Sequence, residues 1–275
     1  MRVLPGTLLT FALAVSACGT DASPPGSGGG EGFCERAMAR VDSFMATHQE
    51  AEPVGDRYGG AAVVGTVSPI AGGMNAFYGA EAAGAQHQIF VNLMTLIQYD
   101  EDLQPVPYLA RSWEVSGDGR ELTFRLRDDV YWHDGELTTA HDVEFTFLRA
   151  TDPQTAFPNA SFFSNYLSGP AGVEVVDPFT VKLRLRPHAD FLDPWRALAI
   201  MPRHLLEGVP PGELSQHPFG EVCPVGNGPF RFLSNDRGER WVFGANPAFP
   251  GGLGGRPFLD RYIYRYIPEH STLLA

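Results

Sequence analysis

Apolar and polar residues change their spacing several times along this chain, and each change marks an element. Residues 8–15 are apolar apart from Thr10, and residues 21–32 (DASPPGSGGGEG) hold no large apolar side chain at all. Residues 61–67 (AAVVGTV) are a continuous apolar run of strand length, which predicts a short buried strand. Residues 68–84 are rich in Gly and Ala and predict a loop. Ile89, Phe90, Leu93, Met94 and Ile97 then recur at helical spacing over residues 86–96. Leu122, Phe124 and Leu126 alternate with Thr123 and Arg125, the period of a half-buried strand. Gly117-Asp118-Gly119 before it and His133-Asp134-Gly135 after it predict tight turns.

Thr139 with Asp142 three residues on predicts a capping box, and Val143, Phe147 and Leu148 give the helix behind it an apolar stripe. Strands are expected at 173–175 and 180–185 around Asp177-Pro178, as an antiparallel pair at 230–233 and 240–244, and at 263–267. The pattern is that of a mixed α/β body without an internal repeat.

Composition narrows the partners. The chain has 275 residues, and 20 basic against 32 acidic side chains give a net charge of −12, which disfavours binding nucleic acid by phosphate neutralisation. A 44% hydrophobic share supplies a core, and 31 Gly with 23 Pro imply many turns and few long helices.

The first residues read as an address. The apolar run at 8–15 is too short to cross a bilayer and suits a secretory signal. Val15-Ser16-Ala17-Cys18 resembles a bacterial lipoprotein box, in which Cys18 would take the lipid and the 21–32 segment would tether the body. An ordinary signal with an incidental Cys18 is the alternative. Cys34 and Cys223 remain; outside the cytoplasm they could pair or stay as two free thiols, and their spacing suggests neither a metal cluster nor a redox CxxC.

From Trp113 the chain reads WEVSGDGRELTFRLRDDVYWHDGELTTAHDV, which resembles the signature of the family 5 extracellular solute-binding proteins, the dipeptide, oligopeptide and nickel binding components of ABC importers. Tyr108-Leu109-Ala110 before it agrees with the family, as does Met201-Pro202-Arg203-His204-Leu205-Leu206 after it. Pro224-Val225-Gly226-Asn227-Gly228-Pro229-Phe230 follows in the right order, with Asn227 where the family has Thr. Asn246-Pro247 and Leu259-Asp260-Arg261-Tyr262 also agree. Physically the signature mostly folds: turns, core tryptophans and a helix cap. His133, Asp134, His141 and Asp142 are therefore expected to serve a turn and a capped helix rather than a metal.

The resemblance implies an α/β fold of two lobes around a cleft, here an N-terminal lobe plus an additional subdomain of a periplasmic-binding-protein fold, with the second lobe missing. On that template residues 1–17 are the signal, 18–57 the anchor Cys and a flexible linker, and 58–75 the first segment of the lobe. Residues 76–169 are the subdomain and 170–275 the second segment of the lobe. The resemblance further implies no cofactor, a peptide or similar small ligand, an ABC permease and ATPase as partners, and an extracytoplasmic, lipid-anchored location. Candidate ligand contacts are Asn75, Tyr78, Gln86 and His87 beyond the first strand, and the aromatic residues Phe162, Phe163 and Tyr166, expected in a loop. Asn227 is expected to be a turn residue. A sensory or scaffold role is the main alternative; an extracytoplasmic hydrolase is weaker, because the chain has no G-x-S-x-G or H-E-x-x-H.

Overall fold

The structure is a computed structural model, and it describes residues 29–48, 57–78, 82–187 and 192–269. The signal, Cys18 and most of the expected tether lie outside the described residues. In chain order the main elements are α1 (Gly29–Thr47), β1 (Ala61–Thr66), α2 (Ala82–His87), β2 (Ile97–Tyr99), β3 (Pro105–Pro107), β4 (Ala110–Val115) and β5 (Glu121–Leu126). They continue with α3 (Ala140–Thr151), α4 (Ala160–Tyr166), β6 (Val173–Asp177), β7 (Thr180–Arg184), α5 (Pro194–Ala197), α6 (Arg203–Leu206), β8 (Phe230–Asp236), β9 (Arg240–Ala245) and β10 (Arg261–Tyr266).

Two four-stranded sheets organise these elements. One has the order β4-β5-β7-β6 and is antiparallel throughout. Leu122, Phe124 and Leu126 of β5 face inward with Val181 and Leu183 of β7, all fully buried. Phe124 and Phe147 of α3 both meet the Trp195 indole edge-on, at 6.3 and 5.2 Å between ring centres. The capping box forms as expected: the Thr139 amide donates to the Asp142 carboxylate at 2.8 Å.

The other sheet has the order β1-β10-β9-β8. β1 runs parallel to β10, and β10-β9 and β9-β8 are antiparallel. Its inner face carries a smaller core of Met74, Ile70, Phe232, Trp241, Phe243 and Tyr264.

Three expectations change. Residues 29–47, read as part of a flexible linker over 18–57, form α1, whose Ala37, Val41 and Met45 recur every four residues and are buried. A Cys34–Cys223 disulfide joins α1 to the body. The strand at β1 exists but is not buried: Val63 is 62% exposed and Val64 41%. The helix read over 86–96 stops early, because a π-turn over Gln88–Asn92 ends at Leu93, whose backbone is extended. Leu93, Met94, Leu96 and Ile97 are then buried in an extended segment between the two sheets, with the buried Thr95 hydroxyl among them donating to the Ile97 carbonyl at 2.7 Å. β6 and β7 pair with β5, so residues 173–184 belong to the β4-β5-β7-β6 sheet, together with strands β4 and β5 of the 76–169 segment.

Candidate ligand-binding region

The loop that leaves β1 is held rigid from three directions. The Met74 amide donates to the Gly220 carbonyl at 2.7 Å. The Asn75 side-chain amide donates to the Leu214 carbonyl at 3.0 Å, while its oxygen accepts from the Phe77 amide. The buried Gln88 amide donates to the carbonyls of Gly73, Asn75 and Tyr78 at 2.9, 3.2 and 3.2 Å. Gly73 has φ +62°, and a Cβ there would stand 2.0 Å from the Gly220 carbonyl oxygen, so only glycine fits this crossing.

Beside the crossing lies a polar groove of about 250 Å³, lined among others by Gly72, Asn75, His217, Gly220, Glu221 and Arg237. Glu221 and Arg237 face each other at 3.4 Å, with the arginine side chain 72% exposed, so their pairing is weak and each charge is free to meet a ligand instead. Burial pushes the His217 ring below its ordinary pKa, and the ring lies against Phe33 of α1. His217 Nδ1 accepts from the Phe219 amide at 3.3 Å, which fixes the tautomer. An anion, a cation and a rim of backbone groups so arranged can hold a small zwitterion through hydrogen bonds.

The expected contact residues are mostly put to other uses. Asn75 does line the groove, as well as pinning the loop. Tyr78 donates to the Thr155 carbonyl at 2.5 Å and so ties the loop to the turn before α4. Gln86 is exposed on α2. His87 is buried: it shares hydrogen bonds with the Ala83 carbonyl (2.6 Å) and the Tyr262 hydroxyl (2.9 Å), and burial lowers its pKa. Phe162, Phe163 and Tyr166 stand on α4, not in a loop; Phe163 and Tyr166 are core residues, with Phe163 packed on Phe147 and Phe157. The helix turns Phe163 onto Phe147 of α3 and Tyr166 onto Trp195 of α5.

Gly226-Asn227-Gly228 is the junction between the sheets. A Cβ at Gly226 would stand 1.8 Å from the Asn92 carbonyl oxygen, and one at Gly228 2.9 Å from it. Asn227 is fully buried: its oxygen accepts from the Met94 amide at 2.9 Å, and its nitrogen donates to Thr138 at 3.3 Å. His133 reaches the same place, sharing a 3.0 Å hydrogen bond with the Gly228 carbonyl, and burial holds its ring down to about 4.

Asp134 is ion-paired with His204 at 3.0 Å and with Arg40 of α1 at 3.3 Å. Burial pushes its carboxyl up, but these two partners outweigh burial and hold it below the usual carboxylate range. His141 lies at the surface beside Glu144, and Asp142 caps α3. The four residues thus serve separate contacts, and among the described residues no group of His, Cys, Asp and Glu could hold a metal ion.

Sequence reasoning missed Gln88, His217, Glu221 and Arg237. A lone amide opening an otherwise apolar run was a usable signal for Gln88. Nothing local marked the other three, which meet Asn75 only through the Gly73–Gly220 crossing.

Residues 104–275 match the model of the bacterial extracellular solute-binding proteins, family 5 Middle. A putative ABC transporter peptide-binding protein of Brucella ovis is 35% identical over 182 residues, 66% of this chain and 33% of the relative. The oligopeptide-binding protein AppA of Bacillus subtilis, solved with a nonapeptide, superposes with a TM-score of 0.71 at 27% identity, over 78% of this chain and 42% of that one. NikZ of Campylobacter jejuni, solved with Ni(L-His), gives 0.68 at 30% identity, over 80% and 41%. The chain therefore spans about a third of the length of the curated relatives it matches.

Proposed function

Because the chain belongs to the family 5 bacterial extracellular solute-binding proteins, we propose that it is a substrate-binding component of an ABC importer. It captures peptides or similar small solutes outside the cytoplasmic membrane and hands them to the permease. The observation that carries this reading is the rigid loop after β1 with its polar groove, set in a fold shared with oligopeptide-binding proteins. The groove is at the small end of ligand sites, which fits one wall of a capture site rather than a whole one. Capture needs no bond made or broken: ligand selects a closed arrangement of walls, and that arrangement docks on the permease.

Cys18 carries the lipid anchor, and the Gly/Ser/Pro-rich stretch behind it lets the body work clear of the headgroups. The Cys34–Cys223 disulfide supports a location outside the reducing cytoplasm. The test is uptake of a labelled oligopeptide pool by cells lacking this chain. Uptake should fall and return when the chain is supplied, and Cys18→Ser should release the protein from the membrane fraction. Unchanged uptake in the deletion strain contradicts the transport reading; membrane retention of Cys18→Ser contradicts the anchor.

A further inference from the structure

The two ends of α1 are held to the body by different means. The later turns are held by packing and charge: Ala37, Val41 and Met45 are buried, Arg40 pairs with the buried Asp134 at 3.3 Å, and the Phe44 ring lies 5.7 Å from that of Tyr131. The first turn reads Gly29-Gly30-Glu31-Gly32, and glycine is the weakest helix former after proline. Phe33 and Cys34 follow it and tie this weak start down. The Phe33 ring stands edge-on to His217 at 4.6 Å, and Cys34 is bonded to Cys223.

The far end of that bond belongs to the groove. His217, Gly220, Glu221 and Val222 line it, and Cys223 is the next residue. The Val222 and Cys223 amides both donate to the Pro218 carbonyl, at 2.9 and 3.2 Å, so these residues form one tight turn. The Gly220 carbonyl in the same turn accepts from the Met74 amide and so passes the hold on to the loop after β1. A disulfide that spans 189 positions acts ordinarily by restricting the unfolded chain. This one also joins the weakest turn of α1 to a wall of the groove, while Arg40 and the buried stripe keep the rest of the helix in place without it. We propose that the Cys34–Cys223 bond is a redox latch on the groove: a dithiol reductant opens it, the start of α1 comes away with Phe33, and residues 217–223 loosen, which lowers ligand capture. Cys223 is fully buried, so one thiolate of the dithiol attacks the Cys34 sulfur and Cys223 leaves as a thiolate. The second thiolate then breaks the mixed disulfide. Two electrons and two protons pass to the cysteine pair, which ends as two thiols, and the reductant ends as its own disulfide. The effect on capture rests on the reading of the groove given above; the loosening does not.

The experiment treats the folded full chain with dithiothreitol, counts alkylated thiols by mass, and compares hydrogen–deuterium exchange in the oxidised and reduced forms. Both cysteines should alkylate while circular dichroism stays that of the folded chain. Exchange should then rise about tenfold in residues 32–36 and 217–223 and stay unchanged in residues 41–47 and in β5. Phe33→Ala, which keeps the bond, should raise exchange at 217–219 by a smaller factor. A fluorescently labelled oligopeptide pool should bind the oxidised form about tenfold more tightly by anisotropy, and reoxidation should restore the affinity. Cys34→Ser/Cys223→Ser should behave as the reduced form, and reduction of the wild-type chain decides the matter should that variant fail to fold. Four results overturn the proposal: alkylation only after denaturation, unchanged exchange at 217–223 on reduction, exchange rising across the whole chain as a purely global staple would give, or equal binding of the pool by both forms. If neither form binds the pool, the reading of the groove fails, and the exchange pattern alone decides the latch.

Discussion

The two four-stranded sheets are equal in strand number and opposite in how they meet water. On the outer face of β4-β5-β7-β6, Glu121, Lys182, Arg184 and Glu174 stand in a cross-strand network of ion pairs. On the outer face of β1-β10-β9-β8, the corresponding central row is Val63, Ile263 and Val242. Behind the first sheet lies a core of whole aromatic side chains closed by α3 and α4; behind the second lies a smaller cluster, and its edge strand β1 offers solvent one valine on each face. The groove sits by the loop leaving β1, on the open sheet's side of the molecule. Within the described residues the two sheets thus differ in how much of their surface is covered.

The largest effect that would sharpen this contrast is Phe124→Ala. Removing a fully buried ring from the closed sheet should cost about 3–5 kcal/mol in denaturant unfolding. Acid comes next. His133 is held down to about 4 in the folded chain, so on acidification the unfolded chain takes the proton first, and stability is lost between pH 6.5 and 4. That loss amounts to about 3 kcal/mol, and the lowered His87 and His217 add to it in the same direction. Asp142, raised by its burial, opposes it. Because His133 joins the two sheets at Gly228, both should melt together in a pH series of thermal scans, and separate transitions would break the picture of a shared junction.

Asn227→Ala leaves the buried Met94 amide without its acceptor and should cost about 1–3 kcal/mol by the same measurement. The smallest effect should come from the open sheet: Val63→Ala should change stability by less than about 0.5 kcal/mol. A cost near that of Phe124→Ala would mean that Val63 is not a free surface.

How much of this was legible depended on how local each feature is. The closed sheet could be read because Leu122, Phe124 and Leu126 alternate with polar neighbours and glycine turns bracket them; Thr139 and Asp142 announced α3 in the same local way. The strand at β1 was legible, but not its exposure, because residues 61–65 (AAVVG) carry no polar side chain to say which face is wet. The stripe of α1 went unread because Ala37 is small and the helix begins inside a glycine run that looks like a tether. The family signature named the fold correctly yet pointed to no ligand contact, since its glycines and Asn227 are committed to joining the sheets. The groove was invisible because its two halves lie more than 130 positions apart and meet at Gly73 and Gly220.

Hydrogen–deuterium exchange across the whole chain, with and without a saturating oligopeptide pool, tests most directly whether the open side does the capturing. Ligand should slow exchange in residues 67–78 and 214–222 and leave β5 and β7 unchanged. Slowing confined to β4–β7, with the loop after β1 unaffected, would contradict the account.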